Sequence, residues 1–265
     1  MDLTLNEEQQ AFRDLARDFL DREAIPHRTQ WDRDESVDLE IVPKMAEIGF
    51  FGLTIPEEYG GLGGDYLTYV LGMEELGRAD SALRGIVSVS NGLFGKSVLG
   101  FGTEEQKQEI LGGIASGSVE AIAMTEPEAG SDVGSLTTRA ERVDGGFVIN
   151  GQKVFISNAH ISDHVLVVCR TTKGASKHEG LTMIWVPREV EGMEIVPIQT
   201  MGGRETNTLY FTDCVAPESA VLGEVDQGWT QLMAGLNVER LILAATMVGM
   251  AQRAFDDGLL YAKER

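Results

Sequence analysis

The chain has 265 residues, with 22 Lys and Arg against 42 Asp and Glu, giving a formal net charge of −20. A hydrophobic share of 43% with 24% charged residues is globular composition, enough for one large domain or two smaller ones. The acidic balance argues against nucleic acid and against an anionic membrane surface as partners, because both need clustered Lys and Arg. The start, Met1-Asp2-Leu3-Thr4 with acidic residues following, has no signal-peptide character. The longest apolar run, Leu241 to Ala251, is about half of the ~20 residues of a bilayer span, so a cytoplasmic protein without a membrane anchor is expected. Cys169 and Cys214 lack CxxC spacing, which argues against a disulfide framework or a zinc site.

Residues 1 to about 118 read as helical. Asn6 before Glu7-Glu8-Gln9 has the character of an N-cap, and Phe12, Leu15, Ala16, Phe19 and Leu20 follow at helical spacing until Pro26. A second helix is expected over Leu39 to Ile48, and others over Tyr66 to Leu76, Ser81 to Leu99 and Thr103 to Leu111. From about Glu120 the period changes. The runs 147–156, 164–170, 181–186 and 207–211 are short and β-rich, separated by turns such as Asp144-Gly145-Gly146. After Gly228 the pattern is helical again to the last residue. Helices, then strands, then a helix is an α+β arrangement. The expected organisation is an N-terminal helical domain at 1–118, a central antiparallel, barrel-like β domain at 119–227, and the start of a helical bundle at 228–265.

The glycine-rich loop 60–64 does not follow a strand, and Tyr66 stands where a third fingerprint glycine is needed, so it reads as an interhelical loop. His160 and His164 are four apart but lie at a strand, with no carboxylate pair placed to complete a ligand set; no metal is expected. The segment Ala123-Met124-Thr125-Glu126-Pro127-Glu128-Ala129-Gly130-Ser131-Asp132 runs from an apolar strand into a turn rich in hydroxyls and small residues. Such a turn can cradle a phosphate or a flavin edge, or can be an Asx-type turn between domains. On the last helix Leu232, Leu236, Leu243 and Met247 form an apolar stripe, and Glu239 falls on it. A carboxylate there is either paired structurally or set in a cleft with a raised pKa.

The Thr125-Glu126-Pro127 and Ala129-Gly130-Ser131-Asp132 run resembles the signature of the acyl-CoA dehydrogenase family. Pro56-Glu57-Glu58-Tyr59-Gly60-Gly61, Gly151-Gln152-Lys153-Val154-Phe155-Ile156-Ser157-Asn158, Val221-Leu222-Gly223 and Asn237-Val238-Glu239-Arg240 fall in the family's order. The resemblance implies an FAD flavoprotein that dehydrogenates an acyl-CoA thioester, passes electrons to an electron-transfer flavoprotein, and forms a homodimer or homotetramer at full length. It implies that Ile122, Ala123, Met124 and Thr125 contact the flavin ring, that Ser131 meets the cofactor's pyrophosphate or the acyl thioester, and that Phe155, Ile156 and Ser157 line the ring. Phe155 stands where the family usually has Trp, and from residue type alone it can also be a core strand residue. Glu239 matches the base of the isovaleryl-CoA and long-chain branches; other members take theirs from a later segment. Arg240 and Asn237 match positions near the acyl-CoA ligand, and Arg265 an arginine that reaches a neighbouring subunit's FAD. Because the helical pattern stops at Arg265, the resemblance predicts a C-terminally incomplete member. It leaves open two other readings: a flavin oxidase or monooxygenase on the same scaffold, or a catalytically silent binding subunit.

Overall fold

The computed structural model describes residues 4–265. Helix α1 (Glu7–Glu23) opens with a capping box, in which the Asn6 side chain accepts from the Gln9 N–H at 2.8 Å and the Gln9 side chain accepts from the Asn6 N–H at 3.1 Å. Its inner face carries Ala16, Phe19 and Leu20, and Phe12 meets Phe50 edge-on with centroids 5.9 Å apart. Past Pro26 the chain re-enters helix as α2 (Arg28–Asp34), an element absent from the sequence-based expectation; it buries Trp31. After α3 (Ile41–Glu47) the glycine-rich loop folds back on the preceding turn. Leu62 N–H donates to Gly52 O and Gly64 N–H to Leu53 O, both at 2.8 Å, and a Cβ on Gly61 would collide with the Ile55 carbonyl. The loop's glycines therefore serve a close backbone approach.

Helices α4 (Tyr66–Ala79) and α5 (Ser81–Val87) are capped by Asp65 and Asp80. The expected helix over Ser81 to Leu99 is interrupted: Ser88–Gly95 winds as a π-helix before α6 (Lys96–Phe101). Likewise α7 (Glu104–Gln106), whose Thr103 cap forms a second capping box, passes through a π-helical turn at Lys107–Leu111 into α8 (Gly112–Ala115). A π turn widens the helix by one residue and re-aims the side chains beyond it.

Eight strands follow: β1 (Glu120–Ala123), β2 (Arg139–Val143), β3 (Gly146–Ser157), β4 (His164–Arg170), β5 (Leu181–Pro187), β6 (Met193–Thr200), β7 (Gly203–Pro217) and β8 (Val221–Leu222). Their order is β6-β7-β3-β2-β4-β5-β8, with β1 added on β4. Most pairings are antiparallel, but β1 runs parallel to β4 from Glu120↔His164 to Ala123↔Val167, and β2 meets β4 in parallel at Arg139↔Arg170. The domain is mainly antiparallel, as expected, and these two pairings are its exceptions. The long connection from β1 to β4 supplies the crossover that a parallel pair needs.

The sheet curls, since β5 also contacts β7 although three strands separate them in hydrogen-bonding order. Alternate residues then serve two cores. Ala121, Ala123, Val165, Val167, Ile184, Val186, Phe147 and Leu209 fill the inside of the curl, while Ile122, Leu166, Val168, Met183 and Leu222 join the helical core.

The last element is α9 (Gly228–Glu264), a helix of 37 residues. It lies along α4, and the seam is built from small residues: Gly77 rests on the Thr246 backbone and Gly249 on that of Glu74. This corrects the expected stripe. Leu232 is buried, but Leu243 and Met247 are exposed, and Gly235, Ile242, Ala245, Thr246 and Gly249 take the inner face. Close helix contact selects small side chains and turns the large ones outward. Glu239 stays on the inner face, three residues from Ile242 and four from Gly235. By length and composition α9 is apolar enough to cross a membrane, a point the count of the uninterrupted run Leu241–Ala251 did not reach. Its inner face is nevertheless sealed on α4, and its far end is pinned by Arg28 to Asp257 at 3.0 Å.

Candidate active site

Three segments converge on a cleft of about 160 Å³: the end of β1, the end of β3, and the π-helical turn after α5. Its lining is Val89 and Leu93 from the turn, Ile122, Met124 and Thr125 from β1 and beyond, and Phe155, Ile156 and Ser157 from β3. Ala123 points the other way, into the β core, and offers this side its backbone alone. Phe155 sits at a register shift between β3 and β7, with φ of +60° and 64% of its surface exposed. The bulge rolls the ring out of the strand, so Phe155 is not a core residue.

Behind the cleft lies a buried clamp. Lys153 is fully buried, and its Nζ donates at 2.9 Å to both Met124 O and Glu126 Oε1. Glu126 also accepts from Thr137 N–H at 2.6 Å, Thr137 Oγ1 at 2.9 Å and Thr138 N–H at 2.8 Å. Burial alone would raise the Glu126 carboxyl, but the Lys153 charge and these hydrogen bonds outweigh it and bring its pKa down to about 2. Burial pulls the Lys153 ammonium downward, yet with two acceptors at 2.9 Å it remains the cation of the pair. Val154 N–H donates to Thr125 O at 2.9 Å, which completes the fixing of residues 124–126 against β3.

On the other side of the π turn stands Glu239. Its side chain is 15% exposed, its Oε1 lies 3.8 Å from Arg84 Nη1, and its Oε2 has no hydrogen-bond partner. A Cβ on Gly92 would stand 2.7 Å from Tyr69 Oη and 3.7 Å from Glu239 Oε2, so the absent side chain is what admits both oxygens. Burial raises the Glu239 carboxyl above its ordinary value, with Arg84 opposing. Both readings of this residue find support: Arg84 is its ion-pair partner at 3.8 Å, and burial raises it, whereas Arg240 turns away to Asn237 Oδ1 at 2.8 Å, at the surface.

The remaining sequence-predicted residues lie apart from the cleft. Ser131 is exposed, on a loop that Lys177 ties down through Asp132 at 2.7 Å. Arg265 stacks over Tyr261 at 5.3 Å, at the far end of α9. His164 Nδ1 lies 3.2 Å from Glu120 and His160 Nδ1 3.2 Å from Asn207, so the two histidines serve different partners. Sequence reasoning missed Val89 and Leu93, whose direction depends on the π turn, and Arg84 and Tyr69, which read as ordinary helix positions. Lys153 carried a visible signal: an ammonium at an inward position of an alternating strand needs a buried acceptor.

An exposed aromatic beside an apolar cleft, with Thr125 and Ser157 in the lining and a largely buried carboxylate across one turn of helix, suits a flat aromatic ligand. Models for the acyl-CoA dehydrogenase N-terminal, middle and C-terminal domains match residues 6–118, 121–214 and 226–265. The chain belongs to the acyl-CoA dehydrogenase family. It is 37% identical to a probable acyl-CoA dehydrogenase of Bacillus subtilis, covering 100% of this chain and 71% of that one. It is 38% identical to a 3-(aryl)acrylate reductase of Clostridium sporogenes, covering 98% and 70%. The solved butyryl-CoA dehydrogenase of Megasphaera elsdenii superposes with a TM-score of 0.93 at 31% identity, over 100% of this chain and 71% of that one. Members of the acyl-CoA dehydrogenase family are FAD-binding flavoproteins, and this chain is an oxidoreductase of that kind. The cleft fits an isoalloxazine edge: an outward aromatic face, apolar walls from Val89, Leu93 and Ile122, and hydroxyls at the rim.

Proposed function

We propose that the chain oxidises an acyl-CoA thioester between Cα and Cβ, with Glu239 as the base that takes the Cα proton. The observation that carries this reading is a largely buried Glu239 with one unpartnered oxygen, set beside Gly92 of the same π-helical turn whose Val89 and Leu93 line the cleft. Bound FAD would supply the acceptor for the hydride that leaves Cβ. The chain's own residues do the rest. Phe155, Ile156 and Ser157 would carry one side of the ring, and Met124 and Thr125, fixed by the Lys153–Glu126 clamp, its edge. Ile122 completes that wall, and Ala123, whose side chain turns into the β core, would reach the ring through its backbone alone. Glu239, desolvated and with one oxygen free, is basic enough to accept a proton from carbon, where a fully hydrogen-bonded carboxylate is not. Ser131, Asn237, Arg240 and Arg265 are proposed as ligand contacts on the strength of the motif match. The domain division at 1–118, 119–227 and 228–265 is proposed from the change of period along the chain.

An electron-transfer flavoprotein is the proposed electron acceptor. Support comes from a relative named as a subunit of a caffeyl-CoA reductase-Etf complex in Acetobacterium woodii, 37% identical over 98% of this chain. A second reading, an oxidase, has one specific support. The solved structure of a prolyl acyl carrier protein oxidase matches with a TM-score of 0.91 at 29% identity. The deciding experiment is anaerobic mixing of the flavin-loaded protein with acyl-CoA thioesters. Glu239→Gln should retain bound flavin but lose its bleaching; bleaching at the parent rate sinks the assignment. Oxygen consumption without need of an added flavoprotein acceptor would favour the oxidase.

A further inference from the structure

Where α4, α5 and α9 meet, three buried polar atoms lack a hydrogen-bond partner: Tyr69 Oη, Arg84 Nε and Glu239 Oε2. Buried polar groups are rarely left this way, and three together mark a place where the fold withholds pairing. The arrangement around Arg84 is specific. Its Nη1 donates to Ser88 Oγ at 3.1 Å, which anchors the guanidinium one turn along, and the same nitrogen stops 3.8 Å from Glu239 Oε1. That is beyond hydrogen-bond length but well inside the range of a strong charge interaction.

We propose that Arg84 is the positioning residue for Glu239, holding a positive charge just out of bonding reach so that the carboxylate has a counter-charge yet keeps an oxygen free to act as a base. The proposal rests on the reading of Glu239 as base. A bonded pair would lower the carboxylate's proton affinity, as Lys153 does for Glu126, and no counter-charge at all would leave burial to raise it unopposed.

The other groups facing Glu239 leave Arg84 in that role. Tyr69, from α4, is fully buried and its hydroxyl is raised first by burial and then by Glu239, so it is neutral and a donor. The π turn contributes Ser88 and Gly92, neither ionisable. On α9 itself Arg240 is turned to Asn237. On the far side, Glu205 of β7 is raised by burial and by Asp80 and lowered by Arg84, so two carboxylates share one guanidinium.

The test follows the Glu239 carboxyl by 13C NMR in the 265-residue chain, with its resonance assigned by loss in Glu239→Gln. Arg84→Met should raise the titration midpoint by about one pH unit or more, and Arg84→Lys should recover most of the shift. Glu205→Gln should lower the midpoint, because Arg84 then serves Glu239 alone. In the flavin-loaded protein the acid limb of substrate bleaching should move with the midpoint. An unmoved midpoint in Arg84→Met overturns the proposal, as does a shift that Arg84→Lys does not reverse. If Arg84→Met does not fold, Arg84→Gln carries the same two outcomes. The failures are separable: parent-rate bleaching in Glu239→Gln removes the base assignment without touching the carboxyl titration.

Discussion

Two glutamates withdrawn from solvent, Glu126 behind the cleft and Glu239 beyond the π-helical turn, are treated in opposite ways. Desolvation pushes both upward. Glu126 meets four donors between 2.6 and 2.9 Å and falls to about 2, whereas Glu239 has one cation at 3.8 Å and an unpartnered oxygen, and stays raised. Burial alone therefore does not separate a structural carboxylate from one proposed as a base. The number of hydrogen bonds that each accepts does.

The largest expected effect falls on the under-bonded member. Glu239→Gln should slow flavin bleaching by roughly 10²–10⁴-fold, the usual share of a general base, while leaving thermal stability at or above the parent's. A variant that unfolds early would show that Glu239 is structural after all. The reverse holds for the clamp. Lys153→Met strips a fully buried cation from Glu126 and should cost about 3–5 kcal/mol in denaturant unfolding.

The pH dependences of the two carboxylates also oppose each other. With its folded pKa near 2, Glu126 contributes stability that is present above its unfolded value of 4.5 and lost as pH falls toward 2. Glu239 is raised, so its contribution is present below 4.5 and lost as pH rises through its folded pKa. The stability of Glu239→Gln relative to the parent should therefore grow with rising pH, measured by unfolding at a series of pH values. A flat difference would remove the raised carboxyl.

What the sequence made legible follows from how local each feature is. The caps at Asn6 and Thr103 are set by residues three apart, and both stand where the sequence places them. The position of Glu239 on an inner helix face followed from a period of 3.6, even though half of the stripe used to find it points outward. The π turn at Ser88–Gly95 leaves no such trace, because its composition is that of an ordinary helix, and so Val89, Leu93 and Gly92 went unassigned. Strands β2 and β6 were missed for a different reason: their burial is slight, and edge or exposed strands lack the alternation that marks a half-buried one.

The seam between α4 and α9 gives a middle-sized test of whether this support for Glu239 is as tight as the contacts require. Gly249→Ala would drive a methyl group into the Glu74 backbone, which cannot yield without separating the helices, and should cost about 1–3 kcal/mol. Gly258 lies on the same helix, where an added methyl group would meet nothing within 4 Å, and Gly258→Ala should instead gain about 0.5–1 kcal/mol. Equal effects at the two glycines, by denaturant unfolding, would contradict the close seam.

The smallest expected effect is also the one with opposite signs in two measurements. Phe155 holds a left-handed backbone, at φ of +60°, with most of its ring in solvent. Such a conformation costs a non-glycine residue about 1–2 kcal/mol, and the exposed ring returns little of it through packing. Glycine would relieve that strain but add about 0.5–1 kcal/mol of backbone entropy to be lost on folding. Phe155→Gly should therefore leave the flavin-free protein as stable as the parent or up to about 1 kcal/mol more so. The same change deletes the surface on which the ring would lie, and should weaken FAD by about 0.5–1.5 kcal/mol, roughly 2- to 12-fold in Kd, in a fluorescence titration. Strain kept at an exposed aromatic is explained by a ligand that uses the ring. Unchanged FAD affinity in the more stable variant would leave the strain without that explanation and move the flavin away from β3.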